Sequence, residues 1–148
     1  MNKKKLKKDL ENIVDICNDG LNGYETAAGK LEDKDESIKT LFLRLSQQRR
    51  GFIEKIKTEG IRLGVDFKET GTLKGFFHRT WLKARANFSS NEKVKVIDEA
   101  MTGEKKALEV YTKVMADPEI PDYLREILEE QQRLIKVALQ QLSGLKAE

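Results

Sequence analysis

Four stretches of this chain repeat apolar residues in alternating steps of three and four, and the connections between them are short, long and short. That pattern constrains the fold more than any other feature. A helix turns once every 3.6 residues, so such spacing gathers the apolar side chains into one stripe per helix, and four stripes must be buried against one another. The first stripe runs Leu10, Val14, Cys17, Leu21, Tyr24, Ala28, Leu31. The second, starting around Ser37, runs Ile38, Leu41, Leu45, Gln48, Phe52, Ile56, Leu63, and Gly64 stands where a helix often ends in a left-handed residue. Ser89 to Glu92 reads as a capping box that opens a third helix with Val94, Ile97, Met101, Glu104, Leu108, Tyr111 and Met115. Asp117, Pro118 and Pro121 break the chain before a fourth stripe, Leu124, Leu128, Gln131, Ile135, Ala138, Leu142, Leu145.

Loop length sets the topology. The first and third connections span only a few residues, so each joins an antiparallel pair. Residues 65–90 are far more than a hairpin needs. Helices of about 27 residues are roughly 40 Å long, and this segment can run back along the bundle so that helix three starts at the opposite end. The spacing predicts helices over 4–31, 36–63, 91–116 and 121–145, with a short crossover helix near 72–87 on which Leu73, Phe77, Trp81, Ala84 and Phe88 recur. The expected fold is all-α, a ferritin-like four-helix bundle with one long crossover, in a single domain over 1–148.

Composition narrows the function classes. The chain has 28 basic and 25 acidic residues, and Lys3, Lys4, Lys5, Lys7 and Lys8 supply more than the whole excess. The remaining body is slightly acidic, which argues against a nucleic-acid partner. The basic start is followed by Asp9, Glu11 and Asp15 rather than by an apolar run, and no segment approaches membrane-spanning length. With one cysteine, Cys17, the chain forms no internal disulfide, and the expectation is a cytoplasmic protein.

Asn18-Asp19-Gly20-Leu21-Asn22-Gly23-Tyr24, Gln47-Gln48-Arg49, Gly75-Phe76-Phe77-His78-Arg79-Thr80-Trp81, and Gly103-Glu104 with Tyr111 follow one another in that order. Together they resemble a family of uncharacterised bacterial ferritin-like four-helix-bundle proteins, over nearly the whole chain. The resemblance implies the fold and no reaction. Di-iron members of the wider superfamily hold their metals with a glutamate from each of two helices and Glu-x-x-His from the other two. Here the matching height offers Gln48 with Gly51, and Gln131 with Leu134. No Glu-x-x-His occurs, and the single histidine, His78, lies in the crossover, where it reads as a packing residue. No metal and no cofactor is expected; if one bound, Glu104 with the nearby Glu25 and Glu54 would be the first ligands to examine.

What remains is a polar layer at mid-bundle, made of Gln48, Glu104 and Gln131 with Tyr24 nearby. Its simplest reading is a structural cluster in which Glu104 accepts from the two amides and fixes helix register. Glu104→Gln then keeps most of the bonding, and Glu104→Ala loses more stability. Arg49 and Arg50 are close enough in sequence to pair with Glu104, although both read as surface residues. Gly20, Gly23, Gly51 and Gly103 also fall near mid-helix, through close helix approach or to leave space for a small ligand. Tyr24 and Tyr111 read as core residues with tethered hydroxyls, Cys17 as a small buried hydrophobe with nothing nearby to lower its pKa, and Phe76, Phe77 and Trp81 as cover for the bundle. Three functions are compatible with these residues. The first is a non-catalytic bundle acting through association with itself or a helical partner, using a wider apolar face at Phe42, Ile53 and Val137, with a stress-related role by analogy of fold. The second is binding of a small polar ligand or single ion at the layer, and the third a di-metal oxidase or storage protein.

Overall fold

The computed structural model describes residues 2–31, 35–67 and 93–147, and over these the chain forms helices and no strand. Helix α1 is Lys3–Lys30 and α2 is Glu36–Arg62. Helix α3 is Lys93–Met115 and α4 is Asp122–Ala147. The all-α class and the four stripe-bearing helices follow the sequence pattern to within about two residues at each boundary. The capping box at Ser89–Glu92, the short helix near 72–87 and its residues His78 and Trp81 lie outside the described residues.

Local chemistry places the ends. The Asn2 side chain accepts a hydrogen bond from the Lys5 backbone N–H at 3.2 Å, which starts α1. Helix α2 stops at Gly64, whose φ of 86° is open to glycine at little steric cost. Two bonds close that turn, Val65 N–H to the Gly60 carbonyl at 2.9 Å and Gly64 N–H to the Ile61 carbonyl at 3.0 Å. Between α3 and α4, Arg125 reaches back from the first turn of α4 to donate to the Met115 carbonyl at 2.5 Å and the Asp117 carbonyl at 2.8 Å. One guanidinium thus satisfies carbonyls that the end of α3 leaves without helical partners.

Contacts along the bundle fix the helix directions. At one end Lys5 of α1 pairs with Asp117 just beyond α3 at 3.0 Å, and Leu10 of α1 lies beside Gly60 near the end of α2. At the other end Lys146 of α4 pairs with Asp98 of α3 at 2.5 Å. Helices α2 and α3 therefore run parallel, and α1 and α4 run against them. Helix α1 packs on α2 and α3, and α4 packs on α3 and more loosely on α2. This is the arrangement that a long connection between α2 and α3 is expected to produce.

Helix α1 is the most enclosed element, with Ile13–Cys17 buried in succession. Its stripe matches the sequence reading, as does that of α4 from Leu124 to Leu142. On the other two helices the expected stripes are buried in part, at Ile38, Leu41, Leu45, Phe52 and Ile56 on α2 and at Ile97, Glu104 and Tyr111 on α3, and each core face extends further to one side than expected. On α3 the buried face carries Val96, Ala100, Gly103, Ala107, Val110 and Val114, while Val94 is 49% exposed and Met101, Leu108 and Met115 are half-buried. Small residues occupy much of that face, so the larger apolar residues beside them drew the sequence reading aside. On α2, Phe42 and Ile53 are buried together with Ser46 and Arg49, in steps of four, three and four. This second row turns the core face toward Arg49 and leaves Gln48 half-buried. Phe42 and Ile53 are consequently core residues, and the association face expected of them is corrected; of that trio only Val137 stays partly accessible.

The turn after α2 yields a direct test. Gly64→Ala must hold a side chain at positive φ, a cost of roughly 1 kcal/mol. Urea denaturation is expected to show that loss with an unchanged m-value. An unaltered midpoint would mean that the helix does not end in a left-handed residue.

Candidate functional site

The apolar core divides into two clusters along the bundle axis. One holds Leu6 to Leu21 of α1 with Phe52, Ile56, Tyr111 and Leu128, and the other holds Tyr24, Ala28, Phe42, Leu45, Ile97 and Leu142. Between them lies the polar layer. Glu104 of α3 and Arg49 of α2 face each other there with side chains only 1% exposed. Arg49 Nη1 donates to Glu104 Oε1 at 2.7 Å and Nη2 to Oε2 at 2.5 Å, a bidentate, charge-assisted pair. Of the two arginines weighed from the sequence, Arg49 is the partner, and it is not a surface residue. Arg50 is exposed and pairs with Glu25 at 3.0 Å.

The guanidinium is enclosed by aromatic faces and a glycine. Its carbon lies 6.0 Å from the Tyr24 ring centroid and 5.5 Å from that of Phe52, both within cation–π range. Tyr24 in turn meets Phe42 edge-on at 5.0 Å. A Cβ built at Gly20 would stand 3.6 Å from Arg49 Nη1 and 3.7 Å from its Cγ, so the arginine lies flush against α1 at that point. The Arg49 Nε–H has no hydrogen-bond partner among the described residues, and the ring faces partly compensate for that loss.

A second set of bonds adjoins the pair. The Tyr111 hydroxyl donates to Gln131 Oε1 at 2.6 Å and lies 3.3 Å from Cys17 Sγ. The Gln131 amide nitrogen donates to the Phe52 carbonyl at 3.4 Å, tying α4 to α2. Glu104 is therefore held by Arg49, rather than by the Gln48 and Gln131 amides. Of the four sequence candidates, Tyr24, Glu104 and Gln131 lie in the buried layer; half-buried Gln48 is replaced in it by Arg49. The signal for Arg49 was the row formed with Phe42 and Ile53.

Burial governs the protonation behaviour. It pushes the Glu104 carboxyl above its ordinary value, while Arg49 and the Tyr24 hydroxyl draw it back. Burial is the largest effect on Arg49 and opposes its charge, but Glu104, with Tyr24, Cys17 and Tyr111 adding to it, outweighs burial and the guanidinium pKa is raised. The Cys17 thiol is pushed up to about 11 by burial, against opposing effects of Arg49 and Tyr111. Burial raises Tyr24 and Tyr111 as well, with Glu104 adding to the first and Cys17 to the second. Cys17 is thus an inert thiol at neutral pH, and both tyrosines are protonated phenols.

The residues at this level do not fit a di-metal centre. Both oxygens of Glu104 are taken by a fixed cation, Glu25 is bound to Arg50 at the surface, and Glu54 is exposed. Among the described residues no three His, Cys, Asp or Glu side chains are grouped as metal ligands. No described helix is long and apolar enough to cross a membrane.

Fold and layer together define an all-α bundle centred on a buried arginine–glutamate pair. The chain belongs to a family known as a domain of unknown function, DUF2383, whose model matches residues 5–117. That match includes both Arg49 and Glu104 and ends before α4 and Gln131. No curated protein and no solved structure matches the chain.

The pair generates two predictions. Glu104→Ala, and equally Glu104→Gln, leaves a buried guanidinium without its counter-charge and should cost about 3–5 kcal/mol. The mild effect that an amide-only layer implied for Glu104→Gln is not expected, because the partner is a cation. Arg49→Met combined with Glu104→Leu replaces both charges by apolar groups and should recover most of the loss. Equal stability of Glu104→Ala and wild type in urea would contradict the buried pair.

The second prediction concerns alkali. The unfolded chain releases the Cys17 proton near 9.0, whereas the folded chain holds it to about 11. Between those pH values the unfolded state binds fewer protons, so stability falls as pH rises. The Cys17 contribution should reach about 3 kcal/mol by the upper end. Cys17→Ala should flatten the fall, most visibly below pH 10.0, where the tyrosines begin to contribute. Denaturation midpoints followed from pH 7 upward, with the same decline in the variant, would contradict this assignment.

Proposed function

We propose that this protein is a non-catalytic, ferritin-like helical bundle that acts by associating with itself or with another helical protein. The observation that carries the reading is the Arg49–Glu104 pair. It engages the fully buried Glu104 of the polar layer, through both oxygens, with a cation that belongs to the chain. A buried carboxylate needs a counter-charge, and in a metal-holding bundle the ion supplies it. Here arginine does, so the layer reads as a structural device. The parallel course of α2 and α3 supports the ferritin-like comparison, and the single buried thiol agrees with a cytoplasmic setting.

One observation favours the second reading, binding at the layer itself. Arg49 Nε and Gln48 Oε1 are a donor and an acceptor near mid-bundle that find no partner among the described residues.

Two measurements decide between these readings. Sedimentation equilibrium should show concentration-dependent association, and thermal melts should be indifferent to added iron(II), manganese(II) or zinc(II). A melting temperature that climbs with metal concentration would transfer the function to ion binding.

A further inference from the structure

We propose that the groove between α2 and α4 receives a second copy of this chain, forming a symmetric dimer whose two-fold axis runs parallel to the bundle. This rests on the association reading and assigns its surface. The groove has a volume of about 370 Å³ and lies where α2 and α4 pack least closely. Its apolar wall is Tyr123, Ile127 and Leu134, a row on α4 beside the core stripe, with Phe52 at the base. Tyr123 is 43% exposed, although the rest of the α4 stripe is well covered.

Gly51 is the first argument for an external occupant. It lies in the interior of α2, is exposed, and lines this groove. No described residue comes within 4 Å of a Cβ placed there. A glycine at such a site costs about 1 kcal/mol relative to alanine, and close approach of a second copy would supply the reason for it.

Charge identifies the occupant as a second copy. The α2 wall carries Lys55, and the α4 wall carries Glu126 and Glu130. Among the described residues Lys55 pairs with Glu59 of its own helix, at 3.7 Å, and its side chain is 56% exposed. Glu130 is held along its own helix by Arg133 at 2.5 Å. A two-fold rotation about an axis along the bundle lays the α2 wall of one copy on the α4 wall of the other at the same height. Lys55 then meets Glu126 and Glu130 of its mate, twice over. An axis across the bundle would instead oppose like walls, lysine to lysine and glutamate to glutamate, which is repulsive. The face is self-complementary under the first rotation, as an isologous interface must be.

Charge reversal tests this directly. Light scattering on eluting protein at low salt should give the wild type twice the 17.0 kDa mass of the chain. Lys55→Glu should give a monomer, and so should Glu126→Lys with Glu130→Lys. All three substitutions together should restore the dimer, with helical content by circular dichroism unchanged throughout. A wild type that associates while the reversals leave its mass unaltered overturns this face and leaves the association reading standing. A wild type that stays monomeric at every concentration overturns the dimer and removes self-association from the proposed function.

Discussion

The Arg49–Glu104 pair is the constraint to which the rest of the bundle conforms. Two opposite charges buried at 1% exposure tolerate little displacement, because each loses its partner if the helices slip by a turn. The pair links α2 to α3, which run parallel and are separated by the longest connection in the chain. It therefore sets the height of two elements that no short loop holds in register. The two apolar clusters lie on either side, and neither alone distinguishes one register from another as sharply as a bidentate ion pair does.

The neighbours of the pair serve the same end. The arginine packs against α1 beside Gly20, Tyr24 and Phe52 cover the guanidinium, and Gln131 with Tyr111 and Cys17 brings α4 into the same layer. All four helices thus contribute to one level. Dispersion and area burial stabilise the ends of the bundle without demanding a unique alignment, whereas this level demands one. Groups of this kind add less to net stability than their count suggests and more to uniqueness of fold.

Much of the architecture was legible in the sequence because periodicity reports burial directly. The stripes of α1 and α4 were read correctly since each is built from large apolar residues in one line. The α3 face was read only in part, at Ile97, Glu104 and Tyr111, because alanine and glycine at positions 100, 103 and 107 carry little hydropathic signal yet lie on the buried face. Gln48 was preferred to Arg49 for a related reason. Arginine is seldom fully buried, and only its partner, remote in sequence, makes that burial tolerable. Glu104 was recognisable alone because an acid on a core stripe must be paired; the identity of its partner required the helices to be set side by side.

The central claim is that a charged, solvent-excluded guanidinium is bound to Glu104 in the folded protein. Arginine side-chain nitrogen spectra of labelled protein test it most directly, since a bidentate, buried guanidinium cannot rotate or exchange with water freely. One arginine should show separate, exchange-protected Nη–H signals at neutral pH, and these should disappear in Glu104→Gln. Uniformly averaged, rapidly exchanging signals from every arginine would contradict the account.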